Sequence, residues 1–225
     1  MASFLKRSLL PLYHKLSEIS SLQKRADRLV WGSRFRRFCQ TNPCPLFGSR
    51  PGLYESLFVT EKLDGPIDYQ EFGVWEGESI RWWVERNRDA GSTFTGFDSF
   101  EGLPENWDGM PEGSFSTKGK IPDIADPRCQ FVKGWFQDTF PPWLKDREVT
   151  GRLVINLDAD LYGSSLLVLV QSLPRMKAGD ILIFDEFYSY MHEFRAFVDG
   201  LSACDRKFQA LGHTENWGQL VLKVV

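Results

Sequence analysis

From residue 67 onward, short apolar runs alternate with longer amphipathic segments. The apolar runs predict strands at 68–74, 93–98, 129–133, 152–158, 180–185, 207–213 and 217–224. The amphipathic segments predict helices at 79–90, 135–145, 162–176 and 188–203. This alternation is typical of a parallel sheet with helices on both faces. Residues 101–127 are rich in glycine and proline and predict a long loop.

The last two predicted strands break the parallel pattern. Only residues 214–216 separate them, and a connection this short cannot cross over a sheet. We therefore expect the two strands to form an antiparallel hairpin. The predicted fold class is α/β, with a Rossmann-like sheet of seven strands that ends in this hairpin.

The first 45 or so residues follow a different pattern, which predicts one or two basic amphipathic helices. Residues 1–40 hold nine lysines and arginines against one glutamate and one aspartate. We therefore divide the chain into a basic helical extension or lid, 1–52, and a main domain, 53–225. The basic run 34–37 can attract an acidic acceptor or a membrane surface. A solvated helix face or a homodimer contact is the explanation that we favour.

Composition and charge argue against two classes of protein, those that bind nucleic acid and those that span a membrane. The 225 residues carry a formal net charge of −3, which gives no reason to expect a nucleic-acid partner. No apolar run approaches the roughly 18 residues that a membrane span needs, and no signal-peptide pattern is present. The four cysteines lack metal-site spacing and suit a reducing compartment. We expect a cytoplasmic protein without a transmembrane segment.

A predicted strand runs into two glycines, Gly73 and Gly77, and then into a helix. A strand, a glycine turn and a helix N-terminus together form a nucleotide-type pocket. Asp98 lies about 20 residues further on, at the end of the next strand, where an acid can hold a ribose. The spacing G-x-x-x-G departs from the dinucleotide pattern and favours a cofactor without phosphate, such as S-adenosylmethionine. An ordinary strand-to-helix turn is the alternative.

Two pairs of acids end two later predicted strands. Asp158 and Asp160 follow one strand, and Asp185 and Glu186 follow the next. Carboxyl ends of strands line the active crevice of open α/β sheets. Clustered carboxylates repel one another unless a cation lies among them, and they suit Mg²⁺. Capping of the following helices is the alternative role for these acids.

Five sequence blocks together resemble the macrocin O-methyltransferase family, which belongs to the class I S-adenosylmethionine-dependent methyltransferases. They are EFGVWEGES, GFDSFEGLPE, VKGWFQDTFP, LDADLYGSS and GDILIFDEF, and the resemblance covers about residues 54–225. It implies a Mg²⁺-dependent O-methylation of a small molecule, in many members a sugar hydroxyl of a natural product. It also implies that Asp158, Asp185 and Glu186 hold the metal and that Asp160 is the general base.

The chain departs from the family pattern at three positions. Glu186 stands where the family usually has a second aspartate, and its longer side chain shifts the position of a bound ion. Glu78 replaces a glycine near the methionine end of the cofactor. Gly163 replaces a common glutamate.

The expected cofactor contacts come from four loops at strand ends. An aromatic wall beside the adenine is the physical reason for including Trp135. The full set is Glu71, Gly73, Val74, Trp75, Gly77, Ser79, Asp98, Ser99, Gly134, Trp135, Phe136 and Asp158.

His192 is a competing candidate for the general base. Two other functions stay open at this point, a dinucleotide-dependent oxidoreductase and a non-catalytic cofactor-binding module. The sequence does not identify the hydroxyl acceptor, because variable loops build acceptor pockets.

Overall fold

The computed structural model describes the backbone of residues 2–145 and 147–225, and the side chains of residues 22–145 and 147–225. The chain divides into two compact units, 1–41 and 42–225. The first unit is one helix, α1, Ala2–Thr41. The basic residues Lys6, Arg7 and Lys15 lie outside the described side chains. The lid role of the extension, and its predicted limit at residue 52, stay predictions.

The second unit is built on one sheet in the order β1-β7-β8-β6-β5-β2-β3-β4. All neighbours are parallel except β8, which is antiparallel to both β6 and β7. The predicted α/β sheet with a terminal hairpin is therefore confirmed. The strands are β1 Leu46–Phe47, β2 Ile67–Phe72, β3 Thr93–Asp98, β4 Cys129–Lys133, β5 Arg152–Leu157, β6 Ile181–Phe184, β7 Phe208–Thr214 and β8 Leu220–Val224.

The strand β1 was not predicted, so the sheet has eight strands instead of seven. Leu46 pairs with His213 and Phe47 pairs with Thr214 along β7. Two residues are too few to show an alternating pattern, and prolines at 43 and 45 precede them. A short strand of this kind protects an edge of the sheet.

Five α-helices flank the sheet, and three of them differ from the sequence prediction by four or five residues at one end. The helix predicted over 162–176 ends at Ser172, where the 3-10 turn Leu173–Arg175 follows. The helix predicted over 79–90 ends at Arg86. The backbone of the next residue, Asn87, is extended, because its side chain donates to the carbonyls of Leu63 and Gly65. The helix predicted over 188–203 begins at Glu193, after a series of turns. The helices are α2 Arg50–Thr60, α3 Glu78–Arg86, α4 Phe136–Leu144, α5 Tyr162–Ser172 and α6 Glu193–Ser202.

Apolar side chains of the core pack against both faces of strand β2. Side chains alternate between the faces of a strand, so Tyr69 and Phe72 point to opposite sides. Tyr69 stacks on Trp83 of α3, with ring centroids 5.2 Å apart. Phe72 stacks on Phe97 at 4.8 Å, and Phe140 of α4 meets both rings edge-on. This packing fixes the carboxyl ends of β2 and β3, where the predicted cofactor residues lie.

The parallel strands β2, β3, β5 and β6 all end at the same edge of the sheet. The predicted polar residues follow these four ends, so the fold brings them to one crevice. Within the described residues, no helix combines the length and the apolar composition that a membrane crossing requires.

Candidate active site

The turn after β2 requires glycine at two positions. Gly73 has φ +92°, and a Cβ there would lie 1.7 Å from the carbonyl oxygen of Asp158. Gly77 has φ +78°, caps α3, and faces Pro122 so closely that a Cβ would lie 2.9 Å from the proline Cβ. Between them, Trp75 adopts a left-handed φ of +51° and keeps 47% of its surface exposed. Left-handed backbone in a bulky residue is typical of ligand sites.

Asp98, at the end of β3, closes this turn. Its Oδ2 accepts from the backbone N–H groups of Val74 at 2.7 Å and Trp75 at 2.9 Å. Its Oδ1 accepts from the Phe100 N–H at 2.6 Å. The carboxylate therefore lies against the glycine turn, and its contact with a ribose stays a prediction. It also shapes the turn, which is a role that the sequence did not predict.

The long loop 101–127 packs over the turn. It contains no helix or named strand among the described residues, in agreement with the sequence. The exposed ring of Trp75 meets Phe115 edge-on, with centroids 6.1 Å apart. The loop therefore forms one wall of the crevice beside the cofactor turn.

Four further predicted cofactor residues lie at the ends of β3 and β4. Ser99 is buried, and its Oγ accepts from the Glu101 N–H. Gly134 has φ +141° and donates to the Asp98 carbonyl at 2.9 Å. Trp135 is partly exposed and precedes α4, and Phe136 packs edge-on against Phe72. The structure thus brings these residues to the Asp98 side of the crevice, and their cofactor contacts stay predictions.

Glu71 and Ser79 lie below the turn, in a buried polar network. The Glu71 carboxylate is 1% exposed and accepts from the Tyr69 hydroxyl and from Asn156 Nδ2. Ser79 Oγ lies 3.3 Å from Tyr69 Oη, Tyr54 Oη and Asn156 Nδ2. The side chain of Glu71 supports the turn from beneath. Burial raises the pKa of Glu71 from 4.5 to about 7, against the hydrogen bonds from Tyr69 and Asn156, which lower it.

This raised pKa predicts a pH-dependent stability that Glu71→Gln removes. The folded protein retains the Glu71 proton up to about pH 7, whereas the unfolded chain releases it near pH 4.5. The stabilisation is complete below pH 4.5 and is lost as the pH rises through about 7. The free energy of unfolding of the wild type, relative to Glu71→Gln, should fall by about 3 kcal/mol over that range.

Urea unfolding of metal-free protein at pH 4 and pH 8 measures this difference. Glu85→Gln, at an exposed glutamate of α3, is the matched control and should keep the wild-type pH profile. Parallel curves for the wild type and Glu71→Gln would contradict the prediction.

The acids after β5 and β6 meet at the same edge. Asp158, Asp160 and Glu186 are partly buried, and one carboxylate oxygen from each lies within 4.8 Å of the others. Asp160 has a left-handed φ of +57°, which aspartate tolerates better than most residues. We call these three residues, together with Asp185, the acidic cluster.

Burial and mutual repulsion control the charges of this cluster. Burial, with the charges of Asp185 and Asp160, holds the pKa of Asp158 well above its usual range. Burial and the neighbouring carboxylates do the same to the pKa of Glu186. Burial raises the pKa of Asp160 to about 6. A cation bound among these groups stabilises their ionised forms.

Two residues that the sequence analysis missed donate hydrogen bonds to the Asp185 carboxylate. Arg50, at the start of α2, donates to its Oδ2 at 2.7 Å. Gln219, at the end of the hairpin, donates to its Oδ1 at 2.8 Å. The group of three close carboxylate oxygens contains Asp160 and not Asp185, although the resemblance implies Asp185 as a ligand. The sequence separation of Arg50 from Asp185 hid this contact.

The donor set fits a divalent hard cation. All four residues of the cluster offer carboxylate oxygens, the ligands that Mg²⁺ prefers. In addition, Glu186 Oε2 is buried without a hydrogen-bond partner among the described residues. A buried carboxylate oxygen without a partner is costly unless a cation binds it.

His192 and Glu193 lie behind the cluster. His192 Nδ1 accepts from the Tyr162 N–H at 3.3 Å and so caps the start of α5. Burial lowers the pKa of His192. Glu193 is fully buried, and its Oε2 accepts from the Glu186 N–H at 3.1 Å. Both residues therefore position the loops that carry the acids, and His192 is less available as a base than Asp160.

Comparison with known proteins gives the family of the chain. The model of the family described as Macrocin-O-methyltransferase (TylF) matches residues 56–218. The chain belongs to this family. This result favours methyl transfer over the dinucleotide-dependent oxidation that the sequence had left open.

One curated relative is the 8-demethyl-8-(2,3-dimethoxy-alpha-L-rhamnosyl)-tetracenomycin-C 4'-O-methyltransferase of Streptomyces olivaceus. It is 31% identical over 153 residues, which are 57% of this chain and 56% of that protein. The matched regions span between 53% and 61% of the curated relatives. The chain thus matches little more than half the length of these relatives, so the activity of the whole protein is a proposal.

Solved structures confirm the fold. The calicheamicin methyltransferase CalS11 superposes with a TM-score of 0.60 at 20% identity, over 88% of this chain and 92% of that chain. An O-methyltransferase from Bacillus cereus, solved in complex with SAH, superposes with a TM-score of 0.52 at 17% identity, over 86% of this chain and 90% of that one. These likenesses show the class I methyltransferase fold.

Proposed function

We propose that this chain is an S-adenosylmethionine-dependent O-methyltransferase that methylates a hydroxyl of a small molecule, a sugar or another natural-product moiety, with the help of Mg²⁺. One observation carries the proposal: the glycine turn closed by Asp98 opens onto the same sheet edge as the acidic cluster. Family membership and the name of the Streptomyces relative, a rhamnosyl 4'-O-methyltransferase, support the reaction and the substrate class. The cytoplasmic location and the homodimer stay predictions.

The glycine turn and Asp98 bind and orient the cofactor in this proposal. S-adenosylmethionine supplies a methyl group already activated by its sulfonium, so the protein mainly has to align donor and acceptor. The missing Cβ atoms of Gly73 and Gly77 let the turn pack against the Asp158 carbonyl and Pro122, which fixes the shape of the turn that receives the cofactor. Asp98 holds the turn in place through Val74 and Trp75, and its carboxylate binds the ribose in this proposal.

The acidic cluster prepares the acceptor. We assign Asp158, Asp185 and Glu186 as the residues that hold Mg²⁺, and Asp160 as the general base. When bound, the ion lowers the pKa of a nearby hydroxyl. Asp160 lies within 4.8 Å of its neighbours in the cluster and, with its pKa near 6, accepts a proton at neutral pH. Trp75 and Phe115 line the donor side of the crevice.

Methyl transfer to a panel of acceptors tests the proposal. The purified full chain, with S-adenosylmethionine and Mg²⁺, is incubated with deoxysugar nucleotides and glycosylated natural products. A product heavier by one methylene, formed together with S-adenosylhomocysteine, supports the assignment. Cofactor binding without any product across the panel would favour the non-catalytic module.

Removing the Asp98 carboxylate is expected to weaken cofactor binding. Asp98→Ala deletes the ribose contact and the two hydrogen bonds that hold Val74 and Trp75. The loss should be about 1–3 kcal/mol of binding free energy for S-adenosylhomocysteine, measured by calorimetry. Asp205→Ala is the control, because this exposed residue precedes β7 at the opposite edge of the sheet. Unchanged affinity in Asp98→Ala would remove Asp98 from the cofactor site.

A further inference from the structure

Arg50 is a cation placed among the carboxylates of the acidic cluster. Its Nη2 lies 2.7 Å from Asp185 Oδ2, as an ion pair. Burial alone would lower the pKa of Arg50, but the charge of Asp185 raises it above its usual value, with smaller contributions that include Asp158 and Glu186. The guanidinium is therefore in electrostatic contact with all three residues that we assign to the metal.

The helix position of Arg50 is unfavourable unless something compensates its charge. Arg50 is the first residue of α2, where the positive end of the helix dipole repels a cation. The first turn contains no acidic residue. Ser49 caps the helix by accepting from the Gly52 N–H, and Pro51 fits the first turn, so the helix start is well defined. The compensation for Arg50 comes from across the crevice, from Asp185.

The two partners of this ion pair differ in exposure. The Asp185 side chain is 4% exposed, and the Arg50 side chain is 33% exposed. Gln219 also binds Asp185, at its Oδ1 and at its backbone carbonyl, and so fixes the carboxylate in place. Arg50 is consequently the partner that can withdraw towards solvent while Asp185 stays.

We propose that Arg50 is a built-in competitor of the divalent ion: it neutralises Asp185 in the metal-free protein, and the ion binds by replacing the guanidinium at that carboxylate. This inference rests on the metal site of the proposed function. It gives Arg50 two effects. It relieves repulsion within the acidic cluster when no ion is bound, and it weakens the affinity of the cluster for the ion.

Mn²⁺ binding to the purified full chain, measured by calorimetry, tests the competition without requiring activity. Arg50→Gln should bind Mn²⁺ about tenfold more tightly than the wild type, or better, because a positive charge within a few ångströms of the ion is removed. The metal-free Arg50→Gln protein should melt at a lower temperature, and Mn²⁺ should raise its melting temperature by more than it raises that of the wild type. Arg86→Gln is the matched control, since Arg86 pairs with Glu55 outside the cluster.

Removing both partners separates competition from simple neutralisation. Asp185→Asn should bind Mn²⁺ at least tenfold more weakly than the wild type. The double variant Arg50→Gln/Asp185→Asn should bind at least tenfold more weakly than Arg50→Gln, because the freed ligand is missing. A double variant that binds Mn²⁺ as tightly as Arg50→Gln would overturn the proposal, because removing the Asp185 carboxylate would then cost nothing and Asp185 would not be a ligand.

The remaining outcomes distinguish this inference from the proposed function. Unchanged Mn²⁺ affinity in Arg50→Gln, with normal binding by the wild type, overturns the role of Arg50 and leaves the metal site standing. Binding by Arg50→Gln alone supports the competition in its strongest form. No Mn²⁺ binding by either protein, while S-adenosylhomocysteine still binds, overturns both the metal site and the competitor.

Discussion

Removal of divalent metal should abolish methyl transfer, and Mg²⁺ should restore it. The acidic cluster brings four carboxylates together at the ends of β5 and β6, and Asp158 and Glu186 have pKa values raised by burial and repulsion. Without a divalent ion, the cluster retains protons and lacks the charge that makes an acceptor hydroxyl acidic. The expected loss of turnover is therefore essentially complete. The measurement is methyl transfer by protein treated with chelator and dialysed, before and after addition of Mg²⁺.

Cofactor binding provides the internal control for metal removal. The glycine turn and Asp98 contribute no carboxylate to the acidic cluster, so S-adenosylhomocysteine should bind the metal-free protein with nearly unchanged affinity. A loss of both binding and turnover would indicate unfolding by the chelator treatment. Full turnover after exhaustive metal removal would contradict the metal site and would favour a capping role for these acids.

The crevice could be predicted from the sequence because its residues follow strand ends. Parallel strands expose their carboxyl ends at one edge, so the acid at 98 and the pairs after β5 and β6 had to converge once the alternation was recognised. The turn at Gly73 and Gly77 was equally predictable, because a left-handed backbone and a close approach of the backbone to other atoms both favour glycine. The structure adds the reason for Gly73, whose missing Cβ makes room for the Asp158 carbonyl.

The parts that escaped prediction depend on contacts between distant residues. Arg50 lies 135 residues before Asp185, and no local pattern connects them. An arginine at the start of a helix without a first-turn acid was the available signal. Likewise, Asn156 lies within the apolar run of β5, but its partners Tyr54 and Ser79 are known only from the fold.

The predicted limits of two helices were wrong for a similar reason. The periodic pattern of α3 continues past residue 86, yet the Asn87 side chain satisfies two carbonyls of the preceding loop and turns the backbone to an extended conformation. Before α6, the Ser189 and His192 N–H groups bind the carbonyls of Glu186 and Ser189, which forms turns in place of the predicted first helical residues. Side-chain hydrogen bonds and turns thus determine the end of α3 and the start of α6, where the hydrophobic pattern alone predicted the wrong limits.

Replacing Asp160 with asparagine should reduce kcat by about 10²–10⁴-fold, the usual effect of losing a general base. Asparagine keeps the size of the side chain and tolerates the left-handed φ of +57°, so the fold should be retained. The substitution removes the ability to take a proton from the acceptor hydroxyl. Single-turnover methyl transfer at saturating acceptor and cofactor measures the effect. Asp64→Asn, an exposed change at the opposite edge of the sheet, is the matched control and should keep wild-type turnover.

Metal and cofactor affinities of Asp160→Asn decide what a loss of rate means. If Asp160 is the base, Mn²⁺ and S-adenosylhomocysteine should bind the variant within a few-fold of the wild type, because Asp158, Asp185 and Glu186 remain. A variant that loses Mn²⁺ would make Asp160 a ligand, in line with its place among the three close oxygens, and would exchange its role with that of Asp158. Near-normal turnover would instead remove the need for a carboxylate base. His192 would then have to break its capping bond to Tyr162 before it could serve, so turnover without a side-chain base would be the simpler explanation.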